Sequence, residues 1–95
     1  MKFDLPYSPP YDWETPMGFF KRHEVFRVEW VDGEVYHRHF TTEHGTNYFS
    51  LRNIAKDNRL ELTLKVASLL DLRPTIEKIR QQFDLGHNPH FIEHE

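Results

Sequence analysis

The sequence predicts an α+β fold: an antiparallel sheet of about five strands with two helices packed on one face. Three observations lead there. Leu60-Glu61-Leu62-Thr63-Leu64-Lys65-Val66 alternates apolar and polar residues, the period of a strand with one face buried and one face wet. The next stretch changes period, with Leu72, Ile76, Ile79 and Phe83 recurring along one helical stripe. Asp32-Gly33 divides two strand-like runs and supplies the positive-φ residues of a two-residue hairpin turn. Short connections make neighbouring strands antiparallel, and the coarse order is β-α-β-β-β-β-α.

Each element follows from its own residues. Leu5 to Trp13 contains Pro6, Pro9 and Pro10, a density that forbids a helix. It suits a short edge strand running into a rigid extended connection whose aromatics pack on the body; a proline-rich ligand for a peptide-binding module is the less favoured reading. The first helix has two candidate starts. With Asp12 as its cap, Pro16 falls at the fourth helical position and deletes a backbone bond, whereas Thr15-Pro16 as cap and first residue has no such conflict. Met17 and Phe20 then face inward with Trp13 and Phe19 flanking, and Lys21-Arg22-His23 suit the negative end of the helix dipole. Strands are expected over 25–31, 34–41 and 47–53, with a turn at Glu43-His44-Gly45, and Lys56-Asp57-Asn58 leads into the alternating strand. The second helix closes at Gly86. Asn88 then makes a good cap and Pro89 a good first residue for a further helix whose apolar stripe begins with Phe91 and Ile92. A helix of a turn and a half is not stable alone. The chain therefore reads as one folded unit, 1–86, and the start of a helix, 87–95, leading into a second unit, with Asn88, Pro89, Phe91 and Ile92 as the expected interdomain contact.

Composition narrows the function classes. Ninety-five residues make one domain, and with no cysteine the aromatic-rich core must do the stabilising. No stretch is apolar enough for a signal peptide or a membrane span, so a cytoplasmic location with no membrane contact is expected. A net charge of −3 gives no electrostatic case for a basic nucleic-acid-binding face unless the fold gathers scattered cations.

Two histidine patterns could carry chemistry. His37 and His39 project from one face of a strand and His44 lies just beyond, a set that could resemble an open three-histidine zinc site. Nothing fixes His44 in place and no acidic residue is poised to orient the rings, so solvated or hydrogen-bonded sheet histidines are the favoured reading. His90-Phe91-Ile92-Glu93-His94 spells the H-x-x-E-H of inverted zinc peptidases, which also need a third ligand and a cleft. There is no cysteine nucleophile, no G-x-S-x-G, no phosphate-cradling glycine loop and no dinucleotide fingerprint. Glu29, Glu34 and Glu61 fall on strand faces that read as solvated. No catalytic residue, cofactor or metal is expected.

Leu5 to Trp13 followed by Gly18-Phe19-Phe20, then Val28-Glu29, Tyr36, Arg38, the alternating strand, and Phe83-Asp84-Leu85 with Asn88-Pro89, resemble the N-terminal part of DNA-3-methyladenine glycosylase II, the AlkA-type alkylation-repair glycosylase of bacteria. The resemblance spans nearly the whole chain. It implies a two-layer domain similar to half of the TATA-binding protein and non-catalytic in its family. Its implied partner is the helix-hairpin-helix catalytic domain of the same parent protein, which holds DNA and cleaves the glycosidic bond of a flipped alkylated base in base-excision repair. Some relatives place this module behind a methyl-accepting domain with an AraC-like region. The alternative is a stand-alone sheet-based module that binds nucleic acid or protein; such a face should show apolar wedges in a basic surround, and the best strand offers Glu61, Thr63 and Lys65.

Overall fold

Alternating sequence becomes alternating burial. In the computed structural model, which describes residues 1–24, 28–83, 85 and 92–94, Leu60, Leu62 and Leu64 are fully buried while the residues between them reach the opposite face. Burying each leucine contributes about 1.5–3 kcal/mol. The described elements are β1 (Lys2–Pro6), α1 (Glu14–Arg22), β2 (Glu29–Asp32), β3 (Val35–Thr42), β4 (Gly45–Ile54), β5 (Arg59–Lys65), α2 (Leu72–Gln82) and β6 (Ile92–His94), with 3-10 turns at Ala55–Asp57 and Leu69–Asp71. Among the described residues they build an antiparallel sheet ordered β2-β3-β4-β5-β1-β6. The expected order β-α-β-β-β-β-α is present through α2.

Both helices cover one face. Phe3, Leu5, Tyr36, Phe49, Leu51 and the three β5 leucines point into it. Phe20 from α1 and Phe83 from the end of α2 meet over Tyr36, with ring centroids 4.5 and 5.6 Å away. Of the predicted helical stripe, Ile76, Ile79 and Phe83 are buried and Leu72 packs at the margin.

Several boundaries differ from the expectations. The helix α1 starts at Glu14, earlier than the Thr15-Pro16 start. Trp13 holds the cap position without a side-chain cap bond, and the Asp12 carboxylate, one residue earlier, accepts from the Thr15 amide at 3.0 Å. Pro16 is then the third helical residue, where its missing N–H has no intrahelical acceptor anyway. The first hairpin turns on Gly33-Glu34, because Asp32 pairs with Val35; only Gly33 has positive φ (63°), the pattern of a type II′ turn. The β1 strand lies between β5 and β6 rather than at an edge, and Pro6 is its last residue. Tyr7 and Tyr11 stack at 4.3 Å and tie the proline-rich segment down, donating to Asn53 Oδ1 and the Phe83 carbonyl. The Pro9-Pro10 peptide is cis.

The largest departure is at the C-terminal end. Ile92–His94 forms a strand against β1, pairing Lys2 with His94, Phe3 with Glu93 and Asp4 with Ile92. The sequence reading has a helix there, drawn from the local cap signal of Asn88-Pro89. At 92–94 pairing with a distant strand is found instead. Asn88, Pro89 and Phe91 lie outside the described residues.

Candidate functional site

The face opposite the helices is uncovered among the described residues, and strand register arranges its side chains in rows. One row runs Trp30, His37, Ser50, Thr63, Lys2 from β2 to β1. The next runs His39, Tyr48, Lys65. A third runs Asp32, Val35, Arg52, Glu61, Asp4. Rows on one face are two residues apart, about 7 Å.

The first two rows begin in a ring cluster. Trp30 stacks on His37 at 4.9 Å with an interplanar angle of 5°, and His39 and Tyr48 lie 5.4 and 6.3 Å from it. Tyr48 Oη and His37 Nδ1 share a 2.6 Å hydrogen bond. Burial pushes the His37 pKa below its ordinary value against the opposing pull of Asp32, so the ring favours its neutral form. Two carboxylates of the third row are matched, Glu61 by Arg52 at 3.0 Å and Asp4 by Arg59, while Asp32 at its β2 end is exposed. Lys2 and Lys65 are exposed and form no ion pair with the side chains of residues 1–24, 28–83 and 85.

The three histidines of the zinc pattern do not converge. His37 and His39 belong to the open-face cluster, whereas His44 Nδ1 donates to Asp71 Oδ1 at 2.9 Å. No group of three His, Cys, Asp or Glu among the described residues has metal-holding geometry. In H-x-x-E-H, Glu93 and His94 stand in a strand, which removes the helical spacing the motif depends on; His90 lies outside the described residues.

Asp71 organises a polar knot that sequence reasoning missed. Its Oδ2 accepts from Thr42 Oγ1 at 2.6 Å and Asn47 Nδ2 at 3.0 Å, while Asn47 Oδ1 accepts from the Ala67 amide at 2.7 Å. Hydrogen bonds from Thr42 and Asn47, joined by that of His44, hold its pKa at about 2. A carboxylate so saturated is a poor general base near neutral pH. Glu29, read as solvated, is instead mostly buried and accepts from Tyr36 at 3.0 Å and Arg38 at 3.4 Å. Glu61 is likewise paired rather than solvated. The signal for the knot was Asn47 at an inward position beside Phe49 and Leu51.

Comparison with protein families matches residues 2–95 to the AlkA N-terminal domain. The chain belongs to that family. No curated protein matches it. The match takes in the proline-rich lead-in, both helices and every strand described above, so the AlkA N-terminal domain is this whole layered unit. It ties the chain to an alkylation-repair glycosylase, as the motif blocks at Leu5–Trp13 and Phe83–Pro89 imply. Within the unit, Ile92 lies in β6, on the far side of β1 from the ring cluster. Leu69 and Leu70, in the turn before α2, are the most exposed large apolar side chains among the described residues, at 73% and 71%. No described helix is long and apolar enough to cross a membrane.

Proposed function

We propose that this chain is the non-catalytic N-terminal domain of a DNA-3-methyladenine glycosylase II, acting in cytoplasmic base-excision repair beside a helix-hairpin-helix domain of the same parent. The observation that carries the reading is the family match across residues 2–95. The use of the carboxylates supports it: Asp71, Glu29, Glu61 and Asp4 each serve a structural hydrogen bond or ion pair. A glycosylase needs a carboxylate poised toward a flipped base, and each of these four points at a protein partner. Residues 88, 89, 91 and 92 remain the proposed contact with the catalytic domain.

The test is an abasic-site assay on N-methylated duplex DNA. The expected result is no abasic product from the isolated chain at any concentration, with excision by the parent protein. Product formed by the chain alone would overturn the reading.

A further inference from the structure

The open face of the sheet is built as a polarised strip: rings at one end, hydroxyls in the middle, exposed lysines at the other. From β2 to β1 the first row passes through Trp30, His37, Ser50, Thr63 and Lys2, and the adjacent row through His39, Tyr48 and Lys65. Five strands at their usual separation make this strip about 19 Å long.

Neither half is explained by the fold. The core lies on the other face and is closed by Tyr36, Phe49, Leu51 and the β5 leucines without help from Trp30. A tryptophan stacked on a histidine, with a second histidine and a tyrosine within 5.4 and 6.3 Å, concentrates four π-systems on a surface the helices do not cover. Tyr48 is held to His37 by a 2.6 Å hydrogen bond, which fixes the cluster before any ligand arrives. At the far end Lys2 and Lys65 are exposed, while the nearby carboxylates Asp4 and Glu61 are engaged by Arg59 and Arg52. Asp32 stands at the opposite corner, on β2. The two exposed lysines therefore lie at the end away from the rings, and the exposed carboxylate of Asp32 lies at the ring end.

We infer that this face binds single-stranded nucleic acid, bases stacking on the Trp30–His37–Tyr48–His39 cluster and phosphates meeting Lys65 and Lys2. Charge complementarity selects the occupant: an apolar peptide has no use for paired lysines at one end, and an acidic peptide has none for four stacked rings at the other. A nucleotide strand presents both a π-face and an anion in each repeat. Duplex DNA keeps its bases stacked on one another and offers the rings nothing. The inference is independent of the proposed role beside a catalytic domain, and the abasic-site assay does not bear on it.

Fluorescence anisotropy with a labelled ten-nucleotide oligothymidine, run at several salt concentrations with the intact chain, tests it; the same measurement with oligouridine separates DNA from RNA as the source of the strand. Expected is saturable binding whose logarithm falls against log salt with a slope of about −1.4, the value for two phosphate contacts on a single strand. Trp30→Ala should weaken binding by about 5- to 100-fold. Lys65→Ala should halve the slope. Because Trp30 is partly buried, His39→Ala, at an exposed position, provides a second reading of the cluster and should also weaken binding. No binding of either strand at low salt, equal affinity for a blunt duplex, binding unmoved by both ring variants, or self-association that sequesters Trp30 would each overturn the inference.

Discussion

Asp71 stands at the N-cap position of α2 yet makes no side-chain bond to that helix. It turns instead to Thr42, His44 and Asn47, fastening the β3–β4 hairpin to the segment before α2. Its folded pKa of about 2 lies below the ordinary value of 3.8, so on acidification the unfolded chain takes up its proton first. The stability this group supplies is complete above about pH 4 and is lost as pH falls toward 2. Thermal midpoints measured from pH 7 to pH 2 should show that loss, and Asp71→Asn should lower the midpoint at pH 7 while flattening the acid limb. Tyr36 works at the other extreme. Burial, reinforced by Glu29 against the pull of Arg38, raises its hydroxyl to about 12, so its contribution holds below pH 10 and disappears as pH climbs through 12. An ultraviolet titration should show one tyrosine ionising late, together with unfolding. Gly45 is a third fixed point. Its φ of 132° is a conformation side chains rarely adopt, and a Cβ there would stand 2.8 Å from the Ala67 Cβ. Gly45→Ala should cost about 1–3 kcal/mol by chemical denaturation. Ala67→Gly should restore only the part due to the clash, because the backbone strain remains.

At the scale of elements, the packing of α2 shows which signals the sequence carried. Ile76 and Ile79 are sealed beneath the helix, and Ile79→Ala should cost about 2–5 kcal/mol in urea or thermal unfolding, with a cavity left beside Phe83. That stripe was legible because a helix and a strand impose different periods on the same chain, 3.6 and 2, and both are visible over a few residues. Leu60 to Val66 was legible for the same reason. The start of α1 was misplaced by a turn's geometry: Asp12 and Thr15-Pro16 are both acceptable caps locally, and packing of Trp13 at 5% exposure draws the helix back to Glu14. What could not be read was anything joining distant segments. Asp71 reaches partners 24 to 29 positions away, and no local pattern relates Asn47 to Asp71. The ring cluster needed the Gly33-Glu34 register, since moving the turn by one residue changes which side chain of β2 stands opposite His37. β6 escaped because a good cap at Asn88-Pro89 outweighed, in sequence terms, a pairing decided 90 residues away.

At the scale of the whole molecule, that pairing determines how the sheet ends. β1 is joined on one side to β5 along five residues and on the other to β6 along three. The amino terminus is further anchored to Leu64, whose carbonyl accepts from the terminal ammonium at 3.0 Å and whose amide donates to the Met1 carbonyl at 2.8 Å. β1 therefore belongs to the core through β5 whatever happens at β6. A three-residue ladder carries few hydrogen bonds, each contributing about 0.5–1.5 kcal/mol, against the 5–15 kcal/mol that separates an ordinary domain from its unfolded state. Removing residues 92–95 should leave the domain folded, with midpoints only modestly lower. Amide hydrogen exchange supplies the sharper reading. The β1 amides that face β6 should lose protection in the truncated chain, while those of β3, β4 and β5 keep theirs. Collapse of protection throughout the sheet would mean instead that β6 is integral to the fold. Unchanged protection in β1 would mean that the edge is not paired this way in solution.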